Sequence, residues 1–213
     1  MSKPSSQDVL LANDWPISKV LDCIKKKSKG DLVQFLQVRY EERFLDPIEQ
    51  LCSMRKKQGY GFAIMSLCSL LIETMQCYRY GLPSTNRGEL SRLGVPEADW
   101  KNGAMAFSDF FLRPEHQSLF PNIDGREFYS NIRNGLLHQA QTKEGWKIKT
   151  NQAILCDAAE RIIDRDKFSR ALNEAFAAYM GELDHSVWAD DVWSRAVQKI
   201  SWLVKMSSAA ATQ

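Results

Sequence analysis

Apolar residues recur at three- and four-residue intervals along most of the chain, the spacing of helices that bury one face. From Asp31 onward, Leu32, Phe35, Leu36, Val38, Phe44 and Leu45 mark one helix that should stop before Asp46-Pro47-Ile48-Glu49. That tetrad reads as a new start, because Asp can cap, Pro is tolerated at the first helical position and Glu completes a capping box. A second helix is therefore expected over 47–57. Residues 60–80 are apolar nearly all round and end at Gly81 with Pro83 behind it, the pattern of a central, buried helix. Residues 82–103 are rich in Gly, Pro, Ser and Asn and read as a long loop or short helix on the surface. A helix around 104–112 follows, and Asp124-Gly125-Arg126-Glu127 repeats the capping-box logic to open another through 140.

Beyond it, Trp146, Ile148 and Thr150 alternate with Lys147 and Lys149. Asn151-Gln152 can turn, and Ala153 to Cys156 can return, which predicts a small β-hairpin insertion near 145–157. Two more helices are expected over 166–183 and 187–206. The tail after Ser207 and the first ~10 residues are expected to be flexible. The fold class that follows is all-α, a helical bundle with one β-hairpin, and a single helical domain is expected over 1–213.

Composition narrows the function classes. With 213 residues, 44% apolar and 25% charged, the chain can bury a sizeable core. Its 28 basic and 26 acidic residues leave a net charge of +2, so no global polycation field exists and any nucleic-acid site must be local. The longest uncharged run, Gln58 to Ile72, is shorter than the roughly 20 residues needed to span a bilayer, and the polar start has no secretory pattern. The expectation is a cytoplasmic protein without membrane contact. Five widely spaced cysteines (Cys23, Cys52, Cys68, Cys77, Cys156) suggest neither a disulfide framework nor a thiolate zinc site.

No phosphate loop, metal-ligand cluster or nucleophile elbow is present, so no cofactor and no metal are expected. Of the three histidines, His116 and His185 lie beside loop and helix-end signals and read as surface residues. His138 differs. In Asn131-Ile132-Arg133-Asn134-Gly135-Leu136-Leu137-His138, the residues Phe128, Ile132 and Leu136 form the core face of a helix. Arg133 then falls about 140°, Asn134 about 240° and His138 about 280° from Phe128. Arginine offers a charged fork matched to phosphate oxygens, and histidine can move a proton near neutral pH. Gly135 costs about 1 kcal/mol in a helix interior, so it reads as a place where another helix or a ligand comes close.

Arg133, four intervening residues and His138, with Asn134 directly after the arginine, resemble the Arg-x(4 to 6)-His signature of the HEPN superfamily. The resemblance is specific over 124–141 and architectural elsewhere. It implies a small helical bundle, commonly a homodimer, and in many members a metal-independent endoribonuclease of toxin-antitoxin, phage-defence or RNA-processing systems. Arg133, His138 and Asn134 would be the catalytic residues, in a composite site built by two copies, with RNA as substrate. A nucleotidyltransferase-type or other antitoxin partner is also implied. In the subgroup modified by such a partner a Tyr lies two residues after the His, where this chain has Ala140.

Other readings stand beside this one. Arg133 can equally be a solvated helix-face residue and His138 a helix-end residue, and a HEPN-like module can bind a nucleotide, RNA or protein without catalysis. Glu73 is the only charged residue between Lys57 and Arg79, and either pairs with Arg133 as a supporting residue or reaches solvent. Trp188, Trp193 and Trp202 fit an apolar stripe better than a base-stacking platform, and Lys25-Lys26-Lys27-Ser28-Lys29 fits a solvated helix end better than a phosphate track.

Overall fold

The structure, a computed structural model, describes residues 8–54 and 59–210. A short hairpin opens the described chain, β1 (Leu10–Ala12) against β2 (Trp15–Pro16), and runs straight into α1 (Ile17–Lys26). The helical spacing gave no sign of this hairpin. Leu11, Ala12 and Trp15 are nonetheless buried in the core, with Trp15 against Phe35 at 5.6 Å. After a left-handed turn at Lys27, α2 (Lys29–Tyr40) passes into a π turn over Glu41–Leu45 and on into α3 (Asp46–Ser53).

The expected break before Asp46 is therefore absent, and Asp46 is itself helical (φ −61°, ψ −48°). The wide turn explains this. Pro47 cannot donate to the residue four back and its ring presses on that carbonyl, while a turn closed over five residues moves the carbonyls out of the way.

Helix α4 (Tyr60–Tyr80) follows over the predicted span and ends at Gly81, left-handed at φ 72°, with the Leu82 amide returning to the Cys77 carbonyl at 2.9 Å. Residues 82–103 hold α5 (Arg87–Arg92), and α6 (Gly103–Leu112) and α7 (Pro114–Gln117) come next. Then α8 (Gly125–Phe128), a second π turn over Tyr129–Arg133 and α9 (Asn134–Gln139) form one continuous rod, started by the Asp124 carboxylate accepting from the Glu127 amide at 2.8 Å.

The expected hairpin near 145–157 is corrected to a three-stranded sheet. β3 (Lys147–Lys149) and β4 (Cys156–Asp157) do not pair with each other; β5 (Ile162–Asp164) lies between them, parallel to β3 and antiparallel to β4. Ile162-Ile163 is too short an apolar pair between charged neighbours to show alternation. Asp164, 1% exposed, then caps α10 (Arg165–His185): it accepts from the amides of Asp166 and Lys167 and, at 2.6 Å, of Gln152. The last helix, α11 (Asp191–Ala210), starts later than expected and stays helical through 207–210, where a frayed tail was predicted. Leu10, within the end expected to be flexible, starts β1, and residues 1–7 and 211–213 lie outside the described residues.

At 68% helix and 7% strand the chain belongs to the all-α class. The core forms around α4, against which α3, α6, α10 and α11 pack. By length and composition α4 could cross a bilayer, but half of its apolar window is enclosed by these neighbours, as in the central helix of a globular core. An aromatic layer of Phe107, Phe110, Phe111, Phe120, Phe128 and Phe168 fills the space under α8, with Phe128 and Phe168 stacked at 5.2 Å. His116 lies in this layer rather than on the surface, contrary to the sequence reading. It is fully buried, and its Nδ1 is 2.8 Å from the Phe110 carbonyl.

Candidate functional site

The rod α8–α9 buries Phe128, Ile132 and Leu136 at 2%, 0% and 6% exposure, so its core face is the one the periodicity predicts. Four-residue spacing drifts about 40° per step in a regular α-helix. The π turn over Tyr129–Arg133 takes up that drift and keeps all three on one side. It also presents the Asn131 carbonyl to the Lys143 amide at 2.8 Å, which ties the loop after α9 back onto the rod.

Arg133 leaves the C-terminal end of this π turn and reaches α4. Its Nε and Nη2 donate to Glu73 Oε2 at 3.2 and 2.8 Å, and the two side chains are only 17% and 16% exposed. Of the two readings of Glu73, pairing with Arg133 is the one the structure adopts. The other carboxylate oxygen accepts from the hydroxyl of buried Thr85. Arg133 Nη1 donates to Asn134 Oδ1 at 3.0 Å, and the guanidinium lies over the Tyr129 ring at 5.4 Å. Tyr129 is wedged against α6, where a Cβ on Gly103 would come within 2.4 Å of its ring. Glu73, Arg133, Asn134 and Tyr129 thus form one polar assembly across α4 and the rod.

No family model, curated protein or solved structure matches the chain.

His138 does not join the assembly. It is exposed, near the end of α9 and two residues before the left-handed Ala140 (φ 51°) that closes the helix. Five residues on a helix separate it from Arg133 by about 7.5 Å along the axis and about 140° around it. Arg133 turns inward to α4 while His138 turns to solvent, beside Leu137, itself 38% exposed.

Gly135 has a different use from the one expected. A Cβ there would lie 2.4 Å from the Gln141 carbonyl oxygen and 3.1 Å from Thr142 Cα, so the close approach is made by the chain's own loop. Among the described residues no group of three or more His, Cys, Asp or Glu side chains could hold a metal ion. The five cysteines are free thiols, and burial pushes Cys77 and Cys156 up to about 11.

The remaining sequence candidates take structural positions. Trp193 is fully buried, donates to the Leu183 carbonyl at 2.9 Å and stacks on Trp188 at 5.3 Å. In the basic run, Lys26 pairs with Asp22 and Lys29 donates to the carbonyls of Asp184 and Ser186, tying α2 to the end of α10. His185 is exposed and capped onto the Gly181 carbonyl. Two buried cations went unnoticed in the sequence: Arg79, paired with Glu182 at 2.7 Å and stacked on Tyr179, and Arg165, beside Asp166 at 3.4 Å. Arg79 closes the apolar α4, and Arg165 falls just before the helix expected over 166–183, so each reads in the sequence as a charge at a helix end.

Proposed function

We propose that the chain is a metal-independent endoribonuclease of HEPN type, acting as a homodimer on RNA. The observation that supports this reading is the Arg133-Asn134…His138 motif on one helix with His138 open to solvent; the pairing of Arg133 with Glu73 counts toward the second reading below. Within a single copy Arg133 and His138 are too far apart around the helix to grip one phosphate. If both act on one phosphate, they come from different copies, and the exposed Leu137 beside His138 is the kind of apolar surface a second copy would cover.

In the reaction, the 2′-oxygen of a ribose attacks the adjacent phosphorus while one copy's His138 accepts its proton. The bond from phosphorus to the 5′-oxygen breaks, and the His138 of the second copy supplies a proton to that oxygen. The products are a 2′,3′-cyclic phosphate and a free 5′-hydroxyl. Arg133, oriented by Glu73 and Asn134, stabilises the extra negative charge on the phosphoryl oxygens. A toxin or phage-defence role under an antitoxin partner fits such an activity. Modification by a nucleotidyltransferase partner does not fit, since Ala140 has no hydroxyl to modify.

Incubation of the purified chain with mixed RNA in EDTA tests this. Cleavage is expected to survive the chelator, leave cyclic phosphate ends, spare DNA and disappear in His138→Ala. Adding His138→Ala chains to wild type is expected to depress activity beyond dilution. Chelator-sensitive cleavage, or full activity of His138→Ala, refutes the reading.

A second reading is a HEPN-like module that binds RNA, a nucleotide or a protein without cleaving. The Glu73 pairing favours it, because the Arg133 charge is already neutralised within the chain. RNA retention without cleavage would decide for it.

A further inference from the structure

A cavity of about 270 Å³ opens between α2, the π turn that follows it, α4 and α11, away from the assembly around Arg133. Three of its lining side chains are cations from separate elements: Arg39, Arg43 and Lys199. No carboxylate lines it, and among the described residues none of the three cations has an ion-pair partner within 4 Å. Their hydrogen bonds go to neutral carbonyls instead. Arg39 and Arg43 both donate to Leu11, Arg43 at 3.2 Å, and Lys199 donates to Pro83 at 2.6 Å.

Two acids act on these cations from beyond ion-pair distance: Glu42, which accepts from the Asn13 amide, on Arg39, and Glu89, which pairs with Arg92 at 3.9 Å, on Lys199. Burial lowers both Arg39 and Lys199 from their ordinary values, and the Arg43 charge lowers Arg39 further, as the Arg39 charge does Lys199. Partly desolvated like charges gathered without a direct ion-pair partner are costly.

Two tyrosines complete the wall. Tyr40 and Tyr78 are each 1% exposed; the Tyr40 hydroxyl has no hydrogen-bond partner among the described residues, and the Tyr78 hydroxyl has the Arg39 guanidinium beside it. Buried hydroxyls are normally satisfied. Three cations without an ion-pair partner and a buried hydroxyl without a hydrogen-bond partner, in one cavity, describe the complement of a small oxyanion. Guanidinium forks match tetrahedral oxygens, and tyrosine hydroxyls add neutral donors.

We infer that this cavity binds a phosphate group, as free phosphate or as the phosphomonoester end of a larger ligand. At about 270 Å³ the cavity is larger than one such group, which leaves room for part of an attached ligand. Arg43 is the exposed member of the lining, Lys199 is half-buried and Tyr78 is buried. This site is independent of the ribonuclease reading and shares no residue with it.

The test is calorimetric titration of the full chain with inorganic phosphate, AMP and adenosine at matched ionic strength, in wild type, Lys199→Met, Tyr78→Phe and Arg133→Lys. Saturable binding of phosphate or AMP is expected, weakened about tenfold in Lys199→Met, the effect of losing one charged hydrogen bond. Arg133→Lys is expected to bind like wild type. Tyr78→Phe is expected to bind several-fold more weakly while still unfolding in one cooperative transition.

Equal binding of phosphate and AMP identifies the free anion, and tighter AMP identifies a phosphomonoester. Binding of adenosine as tight as AMP, no saturation beyond a chloride control, or unchanged affinity in both Lys199→Met and Tyr78→Phe overturns the inference. A failure of RNA cleavage leaves these outcomes untouched.

Discussion

Replacing Glu73 by Gln removes one charge and almost nothing else, which makes it the sharpest probe of what holds Arg133. Both carboxylate oxygens are occupied: one accepts twice from Arg133, the other from Thr85. A Gln side chain can keep its oxygen toward Arg133 and turn its amide to Thr85, whose hydroxyl can then accept. The hydrogen bonds survive, but those to Arg133 change from charge-assisted to half-neutral. Taking about 1.5–3 kcal/mol for a hydrogen bond to a charged group and about 1 kcal/mol for a neutral one, the change costs about 1–2 kcal/mol.

Glu73→Ala also strands the Arg133 charge. A fully buried pair broken in this way loses about 3–5 kcal/mol, and one-sixth exposure of both partners places this pair near the lower end, at about 3 kcal/mol. Guanidinium unfolding of wild type, Glu73→Gln, Glu73→Ala, Arg133→Met and the double variants measures these values, and the cycle between Glu73→Ala and Arg133→Met should show coupling of about 2 kcal/mol. Melting would show the same order, at about 2–4 °C per kcal/mol for a chain of this size. Coupling under about 0.5 kcal/mol would mean that the pair contributes nothing beyond additivity. A Glu73→Gln loss equal to that of Glu73→Ala would mean that the charge was irrelevant.

His116 predicts a pH effect. Burial lowers its pKa, its Nδ1 already donates to the Phe110 carbonyl, and a proton added at Nε2 would find no acceptor among the described residues. A histidine depressed in the folded state contributes stability that is complete above its unfolded value of about 6.5 and is lost as pH falls below it. Urea midpoints of wild type should therefore fall from pH 7 to 5 more steeply than those of His116→Leu; parallel profiles would contradict this. Around α9, Gly135→Ala should lose at least about 1–3 kcal/mol, because its Cβ would overlap the Gln141 carbonyl. Ala140→Gly, at a left-handed position, should gain up to about 1 kcal/mol in the same denaturation assay. A gain in Gly135→Ala together with a loss in Ala140→Gly would show that the loop does not close onto the rod as described.

The long helices were legible because their apolar periodicity and their stop signals agree: α4 ends at Gly81, and α10 spans little more than predicted. Short elements were not. β1, β2 and β5 have two or three residues each, less than one period of alternation can mark, and they exist because they are docked on helices. His116 was misread for a related reason, since a loop signal describes the backbone, while burial of its ring depends on Phe110 and Phe120 arriving from elsewhere. At the motif, the helical wheel separated core from polar face correctly. It could not show that Gln141 and Thr142 would occupy the space over Gly135, because the reversal at Ala140 leaves no periodic trace.

Both π turns were nevertheless written in the spacing. Leu36, Tyr40, Phe44 and Ile48 follow each other by fours, as do Phe128, Ile132 and Leu136, with no compensating step of three. In a regular α-helix three such steps carry the stripe about 120° off the core, so an extra residue per turn has to be absorbed if all four are to remain inside. The absorbed residue sits in Glu41–Leu45 in one case and Tyr129–Arg133 in the other. Each insertion turns the residues after it by about 100° relative to an unbroken helix. Arg43 lies within one such turn and lines the basic cavity, and Arg133 closes the other and meets Glu73. π turns cost stability and persist where they place a side chain that a regular helix would misdirect. Two of them, each delivering an arginine to a polar cluster, tie the helical pattern of this sequence to its two candidate sites.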